Sequence, residues 1–505
     1  MSGEQGYDTT SLRSTLAQTL AALGFSTYCV NIGLIHTMPT IIIGDLTKKD
    51  SSLGLSESQA SWFGSLYYIM QPFGSLVSGI LQDSLGRKRS VMMINLPQLT
   101  AWAILYFASS PTHLYVSIAL MGLSIGFLEA PILSYIGEVT QPRLRGVFSS
   151  LMGIFYNAGL MVETFLGASL PWRTMVLWNM IGPLVAFFAM AMLPESPAWL
   201  VTRGKIAEAE KAYQWLRGWV STEAVKEELD TLVRYVGDFR GHSVNSPEYR
   251  LVASDEVGPE EPNTTRQKRC NNRWKVIMEP EVRTAFRIIL VFFSVVPFAS
   301  LFAMRPFFIQ ILEGLNLPVQ SHIIVAICGA VSLLGAVTLG VSVKHLGKRY
   351  LTFLCLGANI VCIYGIGGYL LAGINLPWIP VVLFSLTYFF GTIVATIPWM
   401  YLIELFPLRA RSLGSGLGAA YAYVVFFAGT KTYFNVVSWL NVSGTCILYG
   451  TVALLGMVYL YLDLPETEGQ TLEDIEVDLR GRRSGRRGED DVRVEAGDGK
   501  RQTER

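Results

Sequence analysis

The stretch MAMLPESPAWLVTRGK (190–205) ends an apolar run on Leu193-Pro194 and turns at once into Glu195-Ser196-Pro197 and a charged segment of helical spacing. Proline makes a stiff stop: it lacks an N–H and disfavours helical geometry in the residue before it. A near echo, LDLPETEGQTLEDIE (462–476), stands just before the C-terminal tail. The same device used twice predicts an architecture built twice. GILQDSLGRKR (79–89) has the form of GVSVKHLGKRY (340–350), and YIGEVTQPRLRG (135–146) that of YLIELFPLRARS (401–412). The three pairs keep their order at nearly one offset, so they predict two homologous halves, related by an axis along a membrane normal.

Composition supplies the membrane. Of 505 residues, 51% are hydrophobic and 16% charged, with mean hydropathy +0.39; soluble chains carry about 25% charge. A net charge of +1 argues against nucleic acid as a partner. Six scattered cysteines (29, 270, 328, 355, 362, 446) have the spacing of neither a disulfide framework nor a metal site. No Walker-type loop indicates a nucleotide and no nucleophile–base constellation indicates an enzyme, so no cofactor or metal is expected. The N-terminus lacks the basic start, apolar core and cleavage site of a secretory signal.

A bilayer core of ~30 Å needs ~20 apolar helical residues per span. Windows of that kind fall at roughly 15–37, 61–82, 90–109, 113–136, 147–170, 173–193, 286–311, 320–343, 350–373, 377–403, 412–437 and 443–463. The expected fold is therefore an all-α membrane protein of about 12 transmembrane helices in two pseudo-symmetric six-helix bundles. Gly74, Gly79, Gly122, Gly126, Gly414, Gly416 and Gly418 in these windows suit close helix packing. Short loops bearing Arg87, Lys88, Arg89, Arg143, Arg145, Lys344, Lys348, Arg349, Arg409 and Arg411 alternate with loops bearing only Lys48, Lys49 and Arg173. The basic set predicts the cytoplasmic side, and with it both termini.

The divisions expected are a cytoplasmic N-terminus (1–14), a first bundle (15–193), a cytoplasmic linker (194–285), a second bundle (286–463) and a cytoplasmic tail (464–505). Within the linker, 205–236 has helical spacing and 240–273 is polar and rich in breakers, hence a mobile segment. The Asn263 sequon falls in the linker and the Asn441 sequon hugs the membrane, so neither is expected to carry a glycan. The repeated motifs collect at the cytoplasmic side. There Asp83, Glu138, Glu195, Glu404 and Glu466 meet Arg87, Arg145 and Arg411, a set suited to bidentate pairing between helix ends and thus to a gating latch. The alternative is a set of solvated loop charges.

LSESQASWFGSL (55–66), DSLGRK (83–88), YIGEVTQPRLRG, LPESPAWL (193–200), IPWMYLIELFPLRAR (397–411) and LPETEGQTL (464–472) together resemble the sugar-porter family of the major facilitator superfamily. The likeness is to its facilitative glucose transporter type, and within that to insect facilitated trehalose transporter-like proteins, over residues 20 to 476. The resemblance implies a multi-pass protein, of the plasma membrane, that moves a small solute across the bilayer. It also implies a pocket of amides holding sugar hydroxyls, and here this sequence departs from the pattern. The span 5 glutamine position is Gly153; the span 7 amides fall on Val296-Pro297 and Phe302; the span 8 asparagine falls on Ser332; span 11 offers Ala422-Tyr423 and Phe426. Trp399 stands where the family stacks an aromatic on the sugar, and Asn31, Asn157, Thr396 and Tyr423 are candidate replacements for the lost amides. Proton-coupled members pair an Asp and an Arg at positions occupied here by Asn31 and Ile118, which favours a uniporter.

Charges within spans mark a solute path, because each costs ~2.5–3.5 kcal/mol at the bilayer centre. They are Glu129, Glu163 and Arg305, with His36 and Lys431 read as structural. Arg305 and Glu163 either pair and reshape the site, or Glu163 makes a structural hydrogen bond while Arg305 snorkels. The function expected is facilitative carbohydrate transport, of hexose or trehalose. The alternatives are another small organic solute, an anion that uses Arg305, or a nutrient sensor without turnover.

Overall fold

The structure, a computed structural model, describes residues 12–48, 53–239, 280–315, 317–373, 376–406 and 411–470, with the side chains of Arg145 and Arg411 among the few left out. The segment 240–273 and the tail beyond 477 lie outside the described residues, which are helical or loop throughout.

The first half opens with α1 (Leu12–Leu46) and α2 (Glu57–Leu85), the latter begun by a capping box in which Ser56 and Gln59 satisfy each other's backbone N–H. The third window is two helices, α3 (Arg87–Met93) and α4 (Asn95–Tyr106), interrupted at Ile94. Then come α5 (Pro111–Val139) and α6 (Pro142–Ser169), each with proline in its first turn, where no N–H is needed. The sixth window is likewise divided, into α7 (Trp172–Asn179) and α8 (Ile181–Ala191). The linker supplies α9 (Pro197–Thr202), α10 (Ile206–Leu216) and the strongly amphipathic α11 (Thr222–Phe239). Their apolar faces close on each other around Trp199, Tyr213, Val225 and Leu229.

The second half begins with α12 (Pro280–Ala299), then a 3-10 turn (Arg305–Phe307) and α13 (Phe308–Glu313). It continues through α14 (Ser321–Leu346), α15 (Lys348–Ala372), α16 (Trp378–Glu404) and α17 (Arg411–Asp463). Nine segments among the described residues are long and apolar enough to cross a membrane. One of them, Gly414–Asp463, leaves helical geometry at Asn441 (φ 56°), so it is two helices, the last two expected windows, joined at a kink. Asn441 itself, the sequon residue, is exposed at that kink.

The chain forms two compact units that do not follow chain order. The first joins Met1–Glu260 to Ala303–Gly340 and Phe426–Val436; the second joins Glu261–Phe302, Val341–Val425 and Val437–Arg505. In the first unit, glycines let backbones meet. A β-carbon at Gly126 would lie 1.8 Å from the Gln71 carbonyl oxygen, and one at Gly74 would lie 2.1 Å from that of Leu123, so α2 and α5 touch along their length. Gly33 and Gly159 do the same for α1 and α6. Gly79 and Gly416, expected in the same role, face open space instead. Away from α3, three straps tie α1 and α2 to later segments of this unit. Thr40 Oγ1 donates to the Arg305 carbonyl (2.9 Å), His322 Nε2 lies 3.4 Å from Asp45 Oδ1, and Ser61 Oγ donates to the Lys431 carbonyl (2.9 Å). Lys431 also lies over the Trp62 ring at 4.2 Å.

Candidate functional site

Two charge nodes repeat the same construction. In the first unit, Gly86 links α2 to α3 with φ +99°, a conformation open to glycine, and the Glu195 carboxylate lies against it. Glu195 Oε1 accepts from the backbone N–H of Lys88 (2.8 Å) and of Ser196 (2.9 Å), so it caps the start of α3. Arg87 reaches Glu138 Oε1 through Nε (3.1 Å) and Nη2 (3.0 Å) and Asp83 through Nη1 (3.4 Å). Ser196 Oγ donates to the second Glu138 oxygen. Lys88 Nζ caps the end of α8 through the carbonyls of Ala191 (2.8 Å) and Leu193 (2.6 Å).

In the second unit Gly347 (φ +77°) links α14 to α15, and Glu466 lies against it. Glu466 accepts from the N–H groups of Lys348 (3.1 Å), Arg349 (3.0 Å), Thr467 (3.0 Å) and Glu468 (3.0 Å). Lys348, 4% exposed, holds Glu404 (2.7 Å) and Glu468 (2.9 Å), and Thr467 Oγ1 donates to Glu404 (2.7 Å). Tyr135 donates to the Pro194 carbonyl in one node and Tyr401 to that of Pro465 in the other. The nodes thus correspond residue by residue, with Arg87 matched by Lys348 and Ser196 by Thr467. Of the expected network, Asp83, Arg87, Glu138 and Glu195 come together in one node, and Glu404 and Glu466 in the other. Arg145 and Arg411 lie at the starts of α6 and α17, their side chains outside the described residues. Lys88, Ser196, Lys348, Thr467 and Glu468 are additions. The Gly-Arg-Lys and Gly-Lys-Arg order of the repeat was the available signal for Lys348.

The second feature is a helix broken inside an expected span. α12 carries Pro297 near its end and stops at Ala299; Leu301 then takes φ +51°, and helical structure resumes at Arg305. Ser300 Oγ takes the Val296 carbonyl (2.6 Å) and Asn359 Nδ2 that of Ala299, so backbone oxygens freed by the break are satisfied inside the protein. Nearly two turns before the break, Phe293 packs edge-on to the half-buried Trp399 (centroids 4.9 Å apart), and Tyr423 lies on Trp399 at 5.7 Å. Tyr421 and Ser294 share a hydrogen bond of 2.7 Å. Thr396, a turn from Trp399, is half-buried and bonds back to Thr392 (2.8 Å).

The remaining candidates sit in the first unit. Asn157 and Ser332 are buried on α6 and α14, between the contacts Thr164–Gly329 and Ser150–Gly340 of that seam. Asn157 Oδ1 and Ser332 Oγ have no hydrogen-bond partner among the described residues. Asn31 is buried with Oδ1 against Gly182 of α8, which turns it into the packing between α1 and α8. Glu129 is half-buried on α5. Glu163 is fully buried and accepts from Asn179 Nδ2 (2.9 Å), a hydrogen bond of the structural kind that was one of its two readings. His36 donates Nδ1–H to the Ile32 carbonyl (2.9 Å), as a satisfied polar residue does. Its ring meets Tyr67 at 5.2 Å and Tyr156 at 5.6 Å.

Duplicated charge nodes on repeated helices, together with a helix interrupted within an expected span and an aromatic platform packed on it, define a polytopic membrane transporter. The chain belongs to the Major Facilitator Superfamily, whose family model matches residues 15–430. It is similar to the facilitated trehalose transporter Tret1 of Culex quinquefasciatus, 25% identical over 484 residues that cover 93% of this chain and 87% of that protein. The Tret1 of Apis mellifera ligustica is 24% identical over 472 residues, 91% and 87% of the two chains. Among solved structures, the inward-open conformation of the xylose transporter XylE from E. coli superposes with a TM-score of 0.69 at 16% identity, over 91% of this chain and 99% of that one. Its partially occluded form gives 0.68 at 15% identity, over 90% and 100%. At that identity the likeness is one of fold.

Proposed function

We propose that this chain is a facilitative carbohydrate transporter, a uniporter rather than an enzyme, that works by alternating access in the plasma membrane. The observation that carries the reading is Trp399, held between Phe293 of α12 and Tyr423 of α17. A flat apolar ring packs against the C–H face of a pyranose while polar neighbours take its hydroxyls. Thr396 and Tyr423, of the same unit, are the neighbours proposed for that work; Asn157 and Ser332 are proposed as solute-path residues of the first unit, and Asn31 is left out. The names of the insect relatives support a sugar of the hexose or trehalose kind.

The charge nodes are proposed to face the cytoplasm, where the short basic loops belong, with both chain termini on the same side. Each node is a bistable element: Arg87 and Lys348 hold carboxylates from other helices, and releasing them frees the helix ends to part. Asn31 and Ile118 offer no ionisable pair for proton coupling, which supports uniport.

The test is uptake of labelled trehalose and glucose into proteoliposomes holding the purified protein, with Trp399→Ala alongside. Saturable uptake that ignores a pH gradient and is lost in the variant supports the reading. Folded protein that carries neither sugar sinks it.

A further inference from the structure

Trp219 is exposed over 54% of its surface and holds φ +58°, a left-handed conformation that a bulky side chain seldom adopts. It stands at the corner where α10 gives way to α11, and several bonds fix that corner. The Gly218 N–H donates to the Trp215 carbonyl (3.2 Å) and the Trp219 N–H to that of Gln214 (2.8 Å), the crossed pair of a Schellman cap with Gly218 at φ +92°. Gln214 Nε2 donates to Thr222 Oγ1 (3.0 Å), and the buried Arg217 holds Glu228 of α11 through Nε (2.8 Å). A rigid frame thus presents an exposed indole on strained backbone. Its ring meets Trp215 edge-on at 5.9 Å, and Trp215 packs inward on the core that includes Ala21, Ala22 and Phe25 of α1.

The corner sits against the start of α1: a β-carbon at Gly218 would lie 2.6 Å from Arg13 Cβ and 2.9 Å from the Ser14 nitrogen. Arg13 belongs to an exposed stripe. With Leu12, Leu16, Leu20 and Leu23 it falls within ~100° of arc on a helix of 3.6 residues per turn, whereas Ser14, Ala17, Gln18, Ala21 and Ala22 on the remaining faces are buried. Because α1 is long and apolar enough to cross a membrane, this leucine stripe is its lipid face. At 35 residues the helix is ~52 Å long, more than the ~30 Å hydrocarbon core, and its apolar window opens at about residue 15. Arg13 and the corner packed on it therefore lie at the edge of the hydrocarbon, continuous with the lipid face. An indole at that level buries its ring among acyl and glycerol carbons while its N–H stays among polar groups, and a guanidinium beside it suits a lipid phosphate.

We propose that Trp219, with Arg13 beside it, is a membrane anchor: the α10–α11 corner inserts into the headgroup layer and docks the linker helices on the bilayer. The same helices are tied to the first charge node, where Trp199 Nε1 (2.9 Å) and Arg203 Nη2 (2.6 Å) both donate to the Asp83 carbonyl at the end of α2. The anchor thus holds the cover of that node against the lipid surface, whatever the solute.

The test places a nitroxide at position 219 of the full-length protein in lipid nanodiscs, through Trp219→Cys in a Cys270→Ser background; the other five cysteines are buried. Glu227→Cys, at an exposed position of α11, is the aqueous reference. Power saturation reads collisions with oxygen, which partitions into lipid, and with a water-soluble nickel chelate. The label at 219 is expected to lose nickel collisions and gain oxygen collisions relative to the label at 227. Equal profiles at the two positions overturn the proposal. Loss of both kinds of collision at 219 overturns it too, because it assigns the indole to a protein contact such as a second copy of the chain. If Trp219→Cys does not fold, wild type and Trp219→Phe in lipid brominated near the headgroup end of the acyl chains decide instead. The tryptophan emission that distinguishes those two proteins is expected to be quenched, and unquenched emission overturns the anchor.

Discussion

Glu195 lays its carboxylate over Gly86 so closely that a β-carbon at position 86 would lie 2.4 Å from Oε2. Glu466 does the same over Gly347, at 2.6 Å. Both glycines have positive φ, so each turn is closed by a residue that needs no side chain and covered by an acid that caps the next helix. The conformation and the contact reinforce each other: only a bare turn lets the carboxylate reach the N–H of Lys88 beyond Gly86, and those of Lys348 and Arg349 beyond Gly347.

Gly86→Ala is therefore expected to fail twice, through backbone strain of about 1–3 kcal/mol and through displacement of the Glu195 cap. Gly79→Ala, one helix turn and more away on α2 with nothing within 4 Å of its β-carbon, should instead stabilise by about 0.5–1 kcal/mol. Thermal unfolding of the two variants in detergent checks the contrast, and equal effects would show that the turn tolerates a side chain.

Lys348 is the buried ammonium of the second node, and its removal leaves Glu404 and Glu468 turned toward each other. Lys348→Met should cost about 3 kcal/mol, the scale for stranding one side of a largely buried ion pair. Lys348→Arg should be tolerated, since Arg87 fills the matching place in the first node with the same carboxylate geometry. A Lys348→Met protein as stable and as active as wild type would remove the node from the mechanism.

The repeat of charged motifs let these nodes be foreseen, because acids, bases and prolines at fixed spacing leave a pattern that hydrophobic periodicity cannot blur. Lys348 was counted only as a loop charge because lysine for arginine hides a role that the alignment of Gly86 with Gly347 reveals. The breaks at Ile94, Met180 and Ala299 were less legible. Each falls inside an apolar window, where composition reports length and burial and is silent on where helical hydrogen bonding is interrupted, with dihedrals kept helical at Ile94 and Met180 and lost after Ala299. Asn31 shows the other limit. An asparagine on a span reads the same whether it faces a solute path or a glycine on the next helix, and Gly182 decides.

Leu301 holds φ +51° while 3% exposed, so two effects compete in Leu301→Gly. Glycine relieves strain of about 1–2 kcal/mol but forfeits a buried leucine, a loss of at least the 2–5 kcal/mol typical of Leu→Ala. Burial wins, and the variant should melt lower than wild type. A higher melting temperature would mean that the break in α12 is held against more strain than its dihedral angle implies.

Glu163 supplies the last prediction. Its carboxyl is fully buried, one oxygen taken by Asn179 Nδ2 and the other without a hydrogen-bond partner among the described residues. Glu163→Gln keeps the shape and the oxygen that Asn179 needs, so it should fold and carry solute within about twofold of wild type, the scatter of a substitution that retains its hydrogen bond. Glu163→Ala strands the Asn179 amide and opens a cavity, and it should lose about 2–4 kcal/mol of stability. The glutamine variant also bears on energy coupling, because an amide cannot carry a proton. If an acidic exterior drives wild-type protein to accumulate solute and Glu163→Gln abolishes that accumulation, uniport is wrong and Glu163 is the coupling acid. Matching uptake by both proteins, with and without the gradient, leaves Glu163 as a hydrogen-bonded tie between α6 and α7.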